Sequence, residues 1–308
     1  MRDGFIKVAA GTPKIRVADC DYNAGQIIAL MKEAAAQGVK VLALPELCVT
    51  GYTCGDLFLQ PALLDGAERA LGRILEETAE LDLLTALGLP VRNTNQKLYN
   101  CAAVMHKGEL LGLVPKSSIP NYGEFYEARW FASGRNCDEE DAVWLCGEWV
   151  DMSPRRLFNC YTLPELTIGI EICEDLWAAE PLSGALARMG ATLMLNLSAS
   201  DEIAGKADYR RALVTGQSAR CVCGYVYADA GEGESSTDLV FSGHNMIAEN
   251  GTLLAEKRFS TGLTISEIDV GRLAHERRRM NNSAVRPDGA VTIHFNLNLG
   301  DTSLTRPV

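Results

Sequence analysis

The chain has 308 residues, 47% hydrophobic and 22% charged, a balance that excludes disordered and collagen-like proteins and allows one large or two smaller domains. With 40 acids against 29 bases the net charge is −11, which argues against a general nucleic-acid or anionic-membrane binder. No run reaches the ~18 apolar residues of a membrane span, and residues 1–10 lack a signal-peptide core, so a cytoplasmic protein is expected.

In chain order, Phe5–Ala10 reads as a strand. Tyr22–Gln37 reads as a helix, with Ile27, Leu30, Met31 and Ala34 on one face and Gly38 as its stop. Val39–Leu44 is a short apolar strand and Pro61–Leu81 a helix. Leu83–Val91 and Leu98–His106 are strands. A turn at Lys107–Gly108 leads into a strand at Leu110–Val114. Asn136–Pro164 is charged and aperiodic and reads as a surface excursion. Leu166–Ile172, Thr192–Leu197 and Gly224–Ala228 are strand-like, and Ala207–Arg220 is helical. Leu239–Phe241 and Asn245–Ala248 read as strands, the second entering an Asn250–Gly251 hairpin turn. From His275 onward, Arg277–Arg279 and the polar run Met280–Gly289 read as a solvated tail or partner-contacting arm. Repeated βα units with hairpins predict an α/β fold with mixed sheets.

In a reducing compartment the ten cysteines are expected to be thiols. A single Cys221-x-Cys223 without a second pair or a nearby His is a weak metal signal, and no metal is expected. One cysteine stands apart. Cys173 follows the apolar run Ile-Gly-Ile-Glu-Ile, as Glu46 follows Val-Leu-Ala-Leu-Pro and Lys116 follows Leu-Gly-Leu-Val-Pro. Ligands bind at the carboxyl ends of strands in open α/β sheets. The three chemistries are complementary. A carboxylate can take a thiol proton, and an ammonium can stabilise the oxyanion formed when sulfur attacks a carbonyl. A helix starting at Glu174 would add N–H donors. The competing arrangement is a Cys–His hydrolase with His106, His244, His275 or His294 as base; of these, His244 has the most site-like context.

Leu-Pro-Glu46-Leu, Val-Pro-Lys116 and Ile-Cys173-Glu-Asp resemble the nitrilase, or carbon–nitrogen hydrolase, superfamily over nearly the whole chain, from about Ile6 to Ile268. Five blocks narrow the resemblance to the glutaminase domains of glutamine-dependent NAD+ synthetases. They are Thr50–Phe58, Lys116–Phe131, Cys173–Trp177, Asn196–Ser200 and Gly231–Phe241. The resemblance implies a four-layer α-β-β-α sandwich with two mixed sheets. It implies Cys173 as nucleophile, Glu46 as base, Lys116 as oxyanion stabiliser and Glu127 as a supporting second glutamate. It also implies a glutamine pocket formed by Tyr52, Tyr122, Phe125, Glu174, Ser200 and Lys206, although the family often has Arg at the last position. The Gly231–Thr237 block lacks phosphate-loop order and reads as a turn before a strand.

What is expected is hydrolysis of the glutamine side-chain amide through a thioester, without a cofactor. No Ser-Gly-Gly pyrophosphate loop occurs in the chain. We therefore expect residues 1–270 to be the hydrolase domain and 271–308 an arm toward a missing synthetase domain, which would use ATP and Mg to make NAD+ from deamido-NAD+. A homo-oligomer is expected, with no nucleic-acid or membrane partner. Two other readings stay open at this point. One is a stand-alone ω-amidase or nitrilase relative acting on another small amide. The other is a non-catalytic scaffold.

Overall fold

A computed structural model of the chain describes residues 4–137, 141–236, 238–280, 291–298, 300 and 304–306. Thr237, all of the polar run after Met280, and the last two residues lie outside them. No helix among the described residues is long and apolar enough to cross a membrane.

The elements run β1 (Phe5–Thr12), α1 (Cys20–Ala36), β2 (Val41–Ala43), α2 (Pro61–Glu77), β3 (Leu84–Arg92), β4 (Leu98–His106) and β5 (Glu109–Pro115). There follow β6 (Ala142–Leu145), β7 (Glu148–Asp151), β8 (Leu157–Cys160), β9 (Thr167–Ile172), α3 (Glu174–Trp177), α4 (Leu182–Arg188), β10 (Leu193–Ser198) and α5 (Lys206–Cys221). The rest are β11 (Gly224–Asp229), β12 (Asn245–Glu249), β13 (Thr252–Lys257), β14 (Gly262–Asp269), α6 (Val270–Arg279) and β15 (Thr292–Phe295).

Two mixed sheets form. One has the order β14-β1-β2-β3-β4-β5, the other β13-β12-β11-β10-β9-β8-β15. Strand alternation then builds four layers. Ile6, Val8 and Ala10 of β1 meet Leu193, Leu195 and Leu197 of β10 in the core between the sheets. On the outer face of the first sheet, Ala9 and Leu42 pack with Ile27 and Met31 of α1 and Leu71 of α2. On the outer face of the second, Met194, Tyr225 and Met246 pack with Leu186 of α4 and Val214 of α5. Both faces are covered, so the central strands read as unbroken apolar runs. Full burial of each Leu, Ile or Val contributes about 1.5–3 kcal/mol. This is the expected α-β-β-α sandwich.

Local signals act as read. Asp19 caps α1 by accepting the Tyr22 N–H at 3.1 Å. Asn250 and Gly251 take φ of 44° and 87°, as a tight hairpin turn between β12 and β13 requires.

Three expectations need correction. Leu239–Phe241 is not a strand. It makes only isolated bridges, from Leu239 to Ser236 and from Phe241 to Asp201, and the Phe241 ring turns edge-on to Tyr52. The 136–164 stretch is not all surface. It contains the β6–β7 hairpin, and β8 pairs antiparallel with β9, burying Leu157, Phe158 and Cys160. Its strands are four residues long among charges, too short to show a period. The region after His275 is not all solvated either. The Arg277 guanidinium donates to the carbonyls of Val222, Cys221 and Ala191, and β15 adds in parallel to β8.

Candidate active site

Three strand ends converge. Glu46 lies three residues past β2, Lys116 directly follows β5, and Cys173 directly follows β9. Two glycines make the approach possible. A Cβ on Gly88 in β3 would sit 2.1 Å from the Leu47 nitrogen, so the Glu46 loop folds flat on that strand only because position 88 is glycine. A Cβ on Gly134 would lie 2.7 Å from the Pro115 carbonyl oxygen, while the Gly134 N–H donates to the Lys116 carbonyl at 2.7 Å.

Lys116 is fully buried and donates to Glu46 Oε1 at 2.6 Å and Glu127 Oε1 at 2.7 Å. Burial alone would push its ammonium down, but Glu127, Glu46 and Cys173 together hold it well above the ordinary lysine value. Lys116 therefore stays a cation. Glu46 accepts further bonds from Asn100 Nδ2 at 2.6 Å and from the Ala199 N–H at 3.0 Å. The last contact ties the first sheet to the loop after β10. Burial raises Glu127 to about 7 against the pull of Lys116. Its Oε1 also accepts from the Tyr52 hydroxyl at 2.6 Å, and its Oε2 is buried without a hydrogen-bond partner.

Cys173 sits at φ 41° and ψ −97°, in the left-handed region that a non-glycine residue occupies at a cost of about 1–3 kcal/mol. Its N–H is held by the Leu197 carbonyl at 3.0 Å and Asn196 Oδ1 at 3.2 Å. The four-residue helix α3 begins at the next residue, as the sequence suggests. Asp175 fixes this elbow from below. Its carboxylate accepts the N–H groups of Ile172, Ser117 and Ser118, joining the strand before Cys173 to the segment after Lys116. Burial first, and then the Glu46 charge, push the Cys173 thiol well above its ordinary value, with Lys116 opposing. The resting sulfur is a protonated thiol, and its reaction needs a base.

Cys173 forms the inner end of a cavity of about 410 Å³. Tyr122, Phe125, Glu174, Ser200 and Lys206, all expected at the pocket, line it as well. Tyr52 does not line it; it stands behind Glu127. Across the mouth, the Tyr122 hydroxyl donates to Glu174 at 2.9 Å. Burial raises the Glu174 carboxyl above its ordinary value. Lys206 opens α5, pairs with Asp201, and lies 5.2 Å and 5.5 Å from the ring centres of Trp177 and Phe125. One wall thus carries an acid and another a cation.

None of the four histidines lines this cavity. His244 is buried elsewhere, between Arg210 at 2.8 Å and Glu256 at 2.6 Å. His106 packs edge-on to Phe295, and His294 stacks on Tyr161. Among the described residues no group of three or more His, Cys, Asp or Glu could hold a metal ion. In the Gly231–Thr237 block, Glu234 is buried and accepts the Tyr52 N–H at 2.7 Å.

Sequence reasoning gave no role to Asn100, Asp201 or Arg210. Asn100 had a signal, a polar side chain inside the apolar run of β4. Arg210 is fully buried and donates to Ser200 Oγ at 3.0 Å and the Asp201 carbonyl at 2.8 Å, holding that wall of the cavity.

The carbon–nitrogen hydrolase family model matches residues 7–278. The glutamine-dependent NAD(+) synthetase of Mycobacterium tuberculosis is 41% identical over 280 residues, covering 90% of this chain and 41% of that protein. The protein of the same name from Mycobacterium leprae is 37% identical, covering 99% of this chain and 46% of its own length. This chain therefore spans less than half the length of these relatives. Among solved structures, a glutamine-dependent NAD(+) synthetase from Cytophaga hutchinsonii aligns with a TM-score of 0.75 at 31% identity, covering 85% of this chain and 42% of that one. An amidase from Nesterenkonia sp. aligns with a TM-score of 0.67 at 19% identity over 91% of this chain and 98% of its own, a likeness of fold. The family match runs through Glu46, Lys116 and Cys173 on the shared sandwich, and the chain belongs to the carbon–nitrogen hydrolase family.

Proposed function

We propose that this enzyme hydrolyses the side-chain amide of glutamine by Glu–Lys–Cys thioester chemistry. The observation that carries the reading is one cavity lined by a protonated thiol, which feels a buried carboxylate–ammonium network next to it, and by side chains of opposite charge. Glu174 and Lys206 suit the α-ammonium and α-carboxylate of a free amino acid. Tyr122, Phe125 and Ser200 would form the remaining contacts.

Glu46 takes the Cys173 proton as sulfur attacks the amide carbon. The carbonyl π pair moves to oxygen, where Lys116 and the Glu174 N–H stabilise the charge. The oxyanion then collapses, the C–N bond breaks, and Glu46 passes its proton to the leaving nitrogen, which departs as ammonia. Water, deprotonated by Glu46, attacks the thioester, and glutamate and the thiol are released. Glu127 holds the Lys116 ammonium and presents its unpartnered Oε2 toward leaving ammonia or entering water. Tyr52 supports Glu127. No metal or organic cofactor takes part.

In the longer protein that the relatives suggest, residues 1–270 would be the hydrolase domain. Residues 271–308 would lead to a synthetase domain using ATP and Mg, which takes the ammonia to convert deamido-NAD+ to NAD+. We read that protein as a cytoplasmic homo-oligomer. The test is ammonia release from glutamine by wild type and Cys173→Ala, with other small amides and nitriles in parallel. The account requires glutamine to be preferred and the variant to be inert. Wild-type turnover by the variant would sink the mechanism, and preference for another amide would favour a stand-alone amidase.

A further inference from the structure

A second and larger cavity, of about 1070 Å³, opens beside α3 and α4. Four arginines line it: Arg135, Arg155, Arg188 and Arg220. Their contacts to side chains are neutral, from Arg135 Nη2 to Ser118 Oγ at 3.2 Å and from Arg220 Nη1 to Gln217 Oε1 at 3.4 Å. None of the four forms an ion pair with a described residue. Elsewhere arginines meet carboxylates, as in Arg129–Asp56, Arg211–Glu256 and Arg306–Glu249. Among the described residues, two acids line this cavity. Asp175 is buried and committed to the three backbone N–H groups of the catalytic elbow, which leaves, among the described residues of the lining, exposed Glu180 against four guanidinium groups.

Such an excess of positive charge among the described residues of one concavity is out of character for a chain of net charge −11. Like charges gathered in a cleft repel each other and focus the field on an incoming anion. The cations are all arginine, with no lysine on the lining, and the planar guanidinium fork matches phosphate oxygens two at a time. A dicarboxylate would engage two forks; four call for three or four negative charges in a small volume. Ser118 and Ser153 add hydroxyls, while Pro154, Pro181 and Leu182 add carbon surface, enough for a sugar or base beside the phosphates. The apolar lining has no aromatic ring, unlike the anchors that dominate protein–protein contacts. The volume also exceeds what an amino acid needs.

We propose that this cleft is a binding site for an oligophosphate anion, either free or carried by a nucleotide. It shares no lining residue with the cavity at Cys173. The test is calorimetric titration of the chain with inorganic pyrophosphate, ADP, adenosine and citrate. A variant carrying Arg155→Gln and Arg188→Gln, both exposed, accompanies it. Pyrophosphate and ADP are expected to saturate one site in competition, adenosine not to bind, and the variant to weaken both anions by at least about tenfold, the loss of a charge-assisted hydrogen bond. ADP binding tighter than pyrophosphate identifies a nucleotide ligand, and equal affinity identifies the phosphates alone. The proposal is overturned if neither anion binds, if binding survives the double substitution, or if citrate binds as tightly as pyrophosphate. Binding is read directly, so its failure is separate from any failure of the glutaminase chemistry.

Discussion

The inner end and the rim of the substrate cavity are built in opposite ways. At the inner end, where Cys173 lines the cavity, the adjoining network of Glu46, Lys116 and Glu127 lies off the lining and is at most 2% exposed, with contacts of 2.6 to 2.7 Å to the Lys116 ammonium. At the rim, Tyr122 and Tyr209 are each 59% exposed and Ile203 is 57% exposed, and the segments carrying them are loops or the start of a helix. Charge in the interior is paired and enclosed, so it can be preorganised for a transition state. The rim is open to solvent, and there Lys206 pairs with Asp201. On the proposed function, the chemical step belongs to the inner end and substrate choice to the rim.

The strongest way to break that division is at the inner end. Cys173→Ala is expected to lower ammonia release from glutamine to background, a loss of about 10⁴-fold or more. Lys116→Met should cost at least about 10²-fold in kcat, since it removes an oxyanion partner. It should also lower unfolding stability by about 3–5 kcal/mol in denaturant titration, because Glu46 and Glu127 would remain buried without their cation. At the rim, Lys206→Ala should raise KM for glutamine about tenfold while kcat stays within about twofold, with a lowered melting temperature because buried Asp201 loses its cation. A kcat loss at Lys206 as large as that at Lys116 would erase the distinction.

Two smaller effects sharpen it through pH. Burial raises Glu234 to about 8 from an ordinary 4.5, so between these values the folded chain keeps a proton that the unfolded chain has lost. Glu234 therefore makes stability fall as pH rises through that window. Glu234→Gln, whose amide oxygen can still accept the Tyr52 N–H, should gain stability relative to wild type from pH 5 to pH 8 in thermal melts. Tyr52→Phe is the mildest change. The Tyr52 hydroxyl lowers the Glu127 carboxyl, so without it Glu127 should titrate higher than about 7, and any limb of the rate–pH profile that reports Glu127 should move up.

Legibility followed the same division. Glu46, Lys116 and Cys173 stood out because strands buried on both faces read as apolar runs, and a reactive side chain just past such a run is conspicuous. The rim offered no such pattern, and Ser200 and Lys206 entered only through family resemblance. Tyr52 was placed in the wall, yet its hydroxyl is spent on Glu127, a contact between residues 75 positions apart that no local spacing reveals. Strand β13 went unread because its six side chains are at best half-buried, and β15 because it is a short edge that follows a polar stretch. Arg210 looked like one more charge on a helix; its burial is decided by the Ser200–Asp201 loop folding over it.

The central claim, that one thiol of ten carries a glutamine-directed reaction, is tested most directly by covalent capture. The chain is incubated with a glutamine-like diazo-ketone, whose carbon is attacked by sulfur with loss of dinitrogen, and the modified peptide is mapped by mass spectrometry. One adduct is expected, on Cys173, suppressed by excess glutamine and absent from Cys173→Ala. An adduct on any other cysteine, or labelling that glutamine does not suppress, would contradict it.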